Sequence, residues 1–317
     1  MAATFSELGR VEAIRQLFEG SGYTPFGEPL CFKCGSGSCV SASRLLLEGT
    51  DFNLEYFPLK HLGYKSVVSV TGELYAALAH PKTLSVTLGV SAKLDFEQIK
   101  ELWSGVVFVA KEQGYKSLGL ELEPSRNGLA ISICAGGEGK EISRPAAASK
   151  DLVCVSGSLG AAYLGQQVLE HKRDELEKYK MLVGSYIKPE LSPDVVPLVE
   201  STGITPSFSY FVSRGLSDAV LRLNRDSGFG VKVYADKIPF EGNSFALGKE
   251  LDIDPVSAAM NGGDDFRLMF VVPIGEYEAF RREFGSFDII GHLARPEVGA
   301  VLVTPDGLEH PVSAQGW

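Results

Sequence analysis

Asn261-Gly262-Gly263-Asp264-Asp265-Phe266-Arg267-Leu268 is a turn of two glycines and two carboxylates that leads straight into an apolar run over residues 268–272. Glycine lets a backbone fold sharply or approach a phosphate closely, and adjacent carboxylates suit a hard cation or a substrate amine. The stretch predicts a polar site at the mouth of a strand, with Gly262, Gly263, Asp264 and Asp265 as candidate binding residues. The plainer alternative is an exposed turn ahead of an edge strand.

Around that turn, strand and helix signals alternate twice. On its C-terminal side a helix is expected over 276–284 and strands over 288–290 and 300–303. On its N-terminal side the pattern predicts a strand over 152–156, helices over 159–178 and 216–224, and a strand over 231–235. Further back, Thr4-x-x-Glu7 is a capping box that opens a helix closed by Gly20, and Asp95 opens a second helix burying Ile99, Leu102, Val106 and Val109. Strands are expected over 66–70, 83–90 and 128–135. Residues 136–148 are rich in glycine, proline and alanine without periodicity and read as a linker between two domains, 1–140 and 141–317. The fold class is two-domain α+β.

Composition narrows the function. The chain has 317 residues, 44% of them hydrophobic, which suffices for two ordinary cores. A formal net charge of -10 and a pI near 5.1 argue against a general nucleic-acid or anionic-membrane surface. No run of about eighteen apolar residues is present, and residues 1–20 lack the apolar core of an export signal, so the expected location is cytoplasmic. Cys31, Cys34 and Cys39 form C-x2-C-x4-C, but no nearby His or Cys completes a four-ligand metal site. Reduced structural cysteines are the default reading. None of the five histidines has a spaced partner that suggests a triad or a ligand pair.

Several stretches carry a family resemblance: Glu48-Gly49, residues 56–66 (YFPLKHLGYKS), 128–133 (GLAISI), 151–163 (DLVCVSGSLGAAY), the glycine turn, and the tail Ala314-Gln315-Gly316-Trp317. In this order and spacing, over residues 5–317, the chain resembles the thiamine-monophosphate kinases of the aminoimidazole ribonucleotide synthetase superfamily. The resemblance implies an N-terminal ATP-binding domain whose strands form a barrel across a homodimer, a C-terminal domain flanking the cleft, and ATP and Mg2+ as cofactors. It implies Arg144 and Gly215 on the nucleotide side, and on the substrate side Asp51, which stands where the family tends to have His, with the glycine turn and Trp317 as a flat surface for a thiamine ring.

Kinases of this family carry aspartates that hold magnesium against the ATP phosphates, in Gly-Asp-Asp, Thr-Thr-Asp, Ser-Asp-Ile, Gly-Gly-Asp-Thr and Asp-x-Ser-Asp-Gly. Matched residue by residue, those motifs fall on Phe26-Gly27-Glu28, Ala42-Ser43-Arg44, Gly72-Glu73-Leu74, Gly119-Leu120-Glu121-Leu122 and Phe211-Val212-Ser213-Arg214-Gly215. Magnesium requires near-octahedral oxygen ligands at about 2.0–2.1 Å, so Glu28, Glu73 and Glu121 are at best weak metal ligands in place of aspartates. Arg44 and Arg214 are always charged and coordinate no cation. The expectation is a site in which arginines replace metals, within ion-pair reach of Glu28, Glu73 or Glu121. Phosphoryl transfer depends on metal and positioning for nearly all its acceleration. The reading is therefore a homologue with a degenerate magnesium/ATP site that binds a small phosphorylated ligand, the alternative being an active kinase that converts thiamine monophosphate to thiamine diphosphate.

Overall fold

The computed structural model describes residues 37–140 and 142–313, the backbone of Leu30–Cys34, and Glu12, Arg15 and Gln16. The expected capping box at Thr4, Glu28, Trp317 and the side chains of Cys31 and Cys34 lie outside the described residues. The chain divides into two compact α+β units. One runs to Ile142 and takes in Ile187–Val199; the other comprises Ser143–Tyr186 and the chain from Glu200 onward.

In the N-terminal unit, β1 (Leu30–Cys34), β2 (Gly37–Leu47), β3 (His80–Ser91), β4 (Ser117–Ser125) and β5 (Ala130–Lys140) form one sheet in the order β1-β2-β5-β3-β4. All neighbours are antiparallel except β3 and β4. Helix α1 (Leu59–Ala76) packs on the sheet and α2 (Phe96–Glu112) packs on α1. Strand alternation buries Val40, Ala42, Leu46, Leu84, Val86, Leu88, Ile131 and Ile133, and leaves Ser43, Leu45, Ser85, Ser132 and Cys134 exposed.

Residues 66–70, expected as a strand, lie inside α1. Every residue from Leu62 to Ala76 is buried, so no polar face exists to mark a helical period, and Val67-Val68-Ser69-Val70 reads locally as strand. The buried hydroxyls are accommodated within the helix: Ser66, Ser69 and Thr71 donate to the carbonyls of Gly63, Ser66 and Val67 at 2.8, 2.7 and 2.7 Å. The apolar run thus finds its cover within its own unit. In the expected linker, residues 136–140 continue β5 against β2 and β3, and irregular chain begins only after them.

The α1–α2 crossing is backbone to backbone. A Cβ built on Gly63 would overlap the Leu102 carbonyl, and one on Gly105 would overlap the Lys60 carbonyl. Neither obstacle can rotate away as a side chain would. Gly63→Ala and Gly105→Ala are each expected to cost about 1–3 kcal/mol in urea denaturation; unchanged midpoints would show that the helices can separate freely.

In the C-terminal unit, β6 (Leu152–Ser156) is followed by α3 (Ala161–His171) and α4 (Lys180–Ile187). The helix expected over 159–178 ends at His171, where a 3-10 turn at Arg173–Glu175 intervenes. After α5 (Val195–Thr202), which up to Val199 belongs to the N-terminal unit, come β7 (Phe208–Val212), α6 (Leu216–Ser227), β8 (Gly230–Tyr234), α7 (Ser244–Leu251), α8 (Pro255–Asn261), β9 (Arg267–Val272), α9 (Tyr277–Glu283), β10 (Phe287–Ala294), β11 (Ala300–Val303) and β12 (Glu309–Pro311). The strands form one sheet in the order β12-β11-β8-β10-β6-β9-β7, with only β8 and β11 parallel. One face packs Val153, Val155, Met269 and Val271 against Leu216, Val220 and Leu223 of α6 and Ala259 and Met260 of α8. Phe270, Phe280, Phe284 and Phe287 stack together, with Phe280 and Phe284 centred 4.6 Å apart.

Candidate functional site

The glycine turn and the β7–α6 turn, Ser213-Arg214-Gly215, are joined: the Asp264 amide donates to the Ser213 carbonyl at 3.0 Å. Gly215 caps α6 at φ 87°, and a Cβ there would stand 2.5 Å from the Met260 carbonyl. Gly262 is equally confined, its added Cβ falling 2.5 Å from Tyr163 Cβ. Gly263, Asp264 and Phe266 have φ of 77°, 59° and 50°. Two of these are non-glycine residues in left-handed backbone, Phe266 being the costlier, and packing must hold them there.

Asp265 explains what holds the turn. Its carboxyl is 5% exposed and accepts from the amides of Gly160 at 2.8 Å and Ala162 at 3.2 Å, capping the N-terminus of α3 from 105 residues away. Burial pushes its pKa up to about 7, outweighing the two amides and Arg267, which favour the charged form. Taken as a candidate substrate residue, Asp265 is engaged in the fold. Asp264, half-buried beside Ser213, is the carboxylate of the pair on the accessible side. Arg267 donates to the Ser158 carbonyl at 3.3 Å and lies against Gly157.

Phe211 is 1% exposed and stacks on Phe266, centroids 5.5 Å apart and planes 15° from parallel. Arg214 is exposed. Arg144 is half-buried and donates to the Pro206 carbonyl at 3.0 Å.

In the N-terminal unit, Arg44 stands across from Ile133 in β5, on the buried side of the sheet. Its side chain is 9% exposed and lies 3.9 Å from Asp51. Asp51 also accepts from the Leu47 amide at 2.8 Å, closing the turn after β2. Glu121 stands across from Thr87, in step with exposed Ser85 and on the opposite side of the sheet from Arg44. Arg44 and Glu121 therefore do not share a cluster. Glu73 is buried in α1 at 7% exposure. Among the described residues no three His, Cys, Asp or Glu side chains converge on a metal position, and the Cys134 thiol lies 3.7 Å from the Ser41 hydroxyl.

Three features escaped the sequence reading. Glu48 accepts from the Leu129 amide at 2.7 Å, holding the β2 turn to the start of β5. Asp218 and Arg222 form a buried pair at 3.9 Å inside α6, which their i,i+4 spacing could have signalled. The third is Ser217, whose buried hydroxyl no periodicity singles out.

No protein-family model matches the chain. Curated thiamine-monophosphate kinases match it along most of its length. That of Aquifex aeolicus is 23% identical over 309 residues, covering 96% of this chain and 97% of its own. That of Pyrococcus horikoshii is 25% identical over 275 residues, covering 87% and 84%. Among solved structures, AaThiL complexed with AMPPCP and TMP superposes with a TM-score of 0.85 at 22% identity, covering 100% of this chain and 99% of that one. The hydrogenase maturation protein HypE of E. coli superposes at 0.66 and 16% identity, covering 95% and 96%. The fold is the two-domain α+β fold of these synthetase-like proteins. The chain is a homologue of the thiamine-monophosphate kinases, and no helix among its described residues is long and apolar enough to cross a membrane.

Proposed function

We propose that this chain binds a phosphorylated ligand of the thiamine-monophosphate type through a degenerate magnesium/ATP site and has lost phosphoryl transfer. The observation that carries the reading is Phe211. At a position matched to a magnesium-binding aspartate stands a ring that is 1% exposed and stacked in the core, with no oxygen to offer a cation. Arg44, at a second such position, lies beside Asp51, and Arg214, at a third, adds another fixed positive charge. These residues do not fit a magnesium cluster. The substrate side keeps Gly262, Gly263 and Asp264, and Trp317 in the sequence, while Asp51 stands where the kinases tend to have His. The exposed face of the five-stranded sheet, with Ser43, Leu45, Ser85, Ser132 and Cys134, supports pairing with a second copy as a homodimer.

Calorimetric titration with ATP, magnesium and thiamine monophosphate, separately and together, tests the proposal. Thiamine monophosphate is expected to bind without magnesium, and ATP to bind weakly or with an affinity independent of magnesium. An ATP signal that appears only when magnesium is present, together with turnover to thiamine diphosphate, would overturn the reading.

A further inference from the structure

A pocket of about 490 Å³ opens at the first turn of α6 in the C-terminal unit. Its volume is that of a small-molecule site. Ser217, in that first turn, lines the pocket and is 1% exposed, and its buried hydroxyl has no hydrogen-bond partner among the described residues. A buried hydroxyl left without a partner is destabilising, and alanine would fill the same space without that cost. Phe245 on α7 lines the pocket at 59% exposure, its ring held edge-on by Phe240 at 5.0 Å. Met260 and Leu302 supply apolar wall.

The charge of the lining selects among ligands. Asp236 and Asp254 are its two carboxylates, His310 is its one other titratable side chain, and no Lys or Arg lines it among the described residues. The positive end of α6 is equivalent to roughly half a charge, too little to offset two carboxylates, so an anionic group is disfavoured here. Asp254 is partly committed, accepting from the Ser257 amide at 3.0 Å and the Ser257 hydroxyl at 2.8 Å to cap α8.

We propose that this pocket takes a flat, neutral or cationic heteroaromatic ring, stacked on Phe245, with a polar atom of the ring or of its substituent hydrogen-bonded to Ser217 Oγ. Ser217 is then the specificity-determining residue for that ring. The assignment rests on the pocket alone and holds whether or not phosphate chemistry survives elsewhere in the chain.

The test uses 4-aminopyridine, toluene and benzoate as probes of the full chain, with binding followed by ligand-observed NMR. 4-Aminopyridine is expected to bind and benzoate not to. Ser217→Ala should weaken 4-aminopyridine about fivefold to tenfold, leave toluene unchanged, and raise the melting temperature of the unliganded protein, because it deletes a buried hydroxyl without a partner. Val256→Trp, filling the pocket from α8, should abolish 4-aminopyridine binding in a protein that still melts cooperatively. Equal 4-aminopyridine affinity in wild type and Ser217→Ala, preference for benzoate, or no heteroaromatic binding to wild type would each overturn the assignment. None of these probes carries a phosphate, so failure here is separate from a failure of thiamine monophosphate to bind.

Discussion

Phe211→Asp, which puts back the residue type the kinases carry at the matched position, is expected to unfold the C-terminal unit and not to rebuild a cation site. Phe211 is 1% exposed near the end of β7, paired with Leu268 in β9 and stacked on Phe266. Removing a buried phenyl ring alone costs about 3–5 kcal/mol, and a carboxylate left in the cavity must be desolvated or neutralised as well. The total is on the order of the whole stability of an ordinary domain. Loss of the cooperative transition in urea denaturation, with or without magnesium, is the expected result. A folded Phe211→Asp protein whose stability rises with magnesium would mean that the position still faces a metal site, and the proposal of a degenerate centre would fall. Phe211→Leu, which keeps the apolar contact, should remain folded and shows whether volume or charge does the damage.

Asp265→Ala is expected to cost about 2–4 kcal/mol, because it orphans the buried Gly160 and Ala162 amides at the start of α3 and frees the left-handed residues Asp264 and Phe266. The wild-type group also sets a pH dependence whose sign is fixed. Its pKa rises from 3.8 to about 7 on folding, so between those values the folded state holds a proton that the unfolded state has released. Its contribution to stability is therefore greatest below about pH 4, declines as the pH rises to about 7, and is level above that. Asp265→Asn, neutral throughout, should lack this slope. Parallel pH profiles for the two proteins in thermal melts would show that the carboxyl does not titrate in that window.

Whether an element was legible in the sequence depended on how much of it met water. Helix α2 shows its period because one side is solvated, and its capping box is local: the Asp95 side chain takes the Gln98 amide at 2.9 Å and the Gln98 side chain returns to Asp95. Helix α6 and strands β3 and β11 were legible for the same reason, each carrying a period of its own, whereas β9, buried from Leu268 to Val272, was legible as a short apolar run bounded by the glycine turn. Helix α1 was not, since it is buried all round from Leu62 to Ala76 and its polar residues, Lys65, Ser66, Ser69, Thr71 and Glu73, mark no solvated face.

The site divides along the same line. The sequence by itself determined the kinship with thiamine-monophosphate kinases, the two-part α+β order, and the chemical fact that Arg44, Phe211 and Arg214 offer a cation no ligand, because these follow from residue identity and spacing. Only the tertiary structure decided that Arg44 lies beside Asp51 while Glu121 is on the other side of the sheet, that Asp265 caps a helix 105 residues away, and that Ser217, its hydroxyl buried, lines a pocket. Strand register sets the first, since a shift of one residue exchanges the faces of a sheet. Contacts between segments distant in the chain set the others, and no local pattern encodes which backbone amide a buried carboxyl will meet.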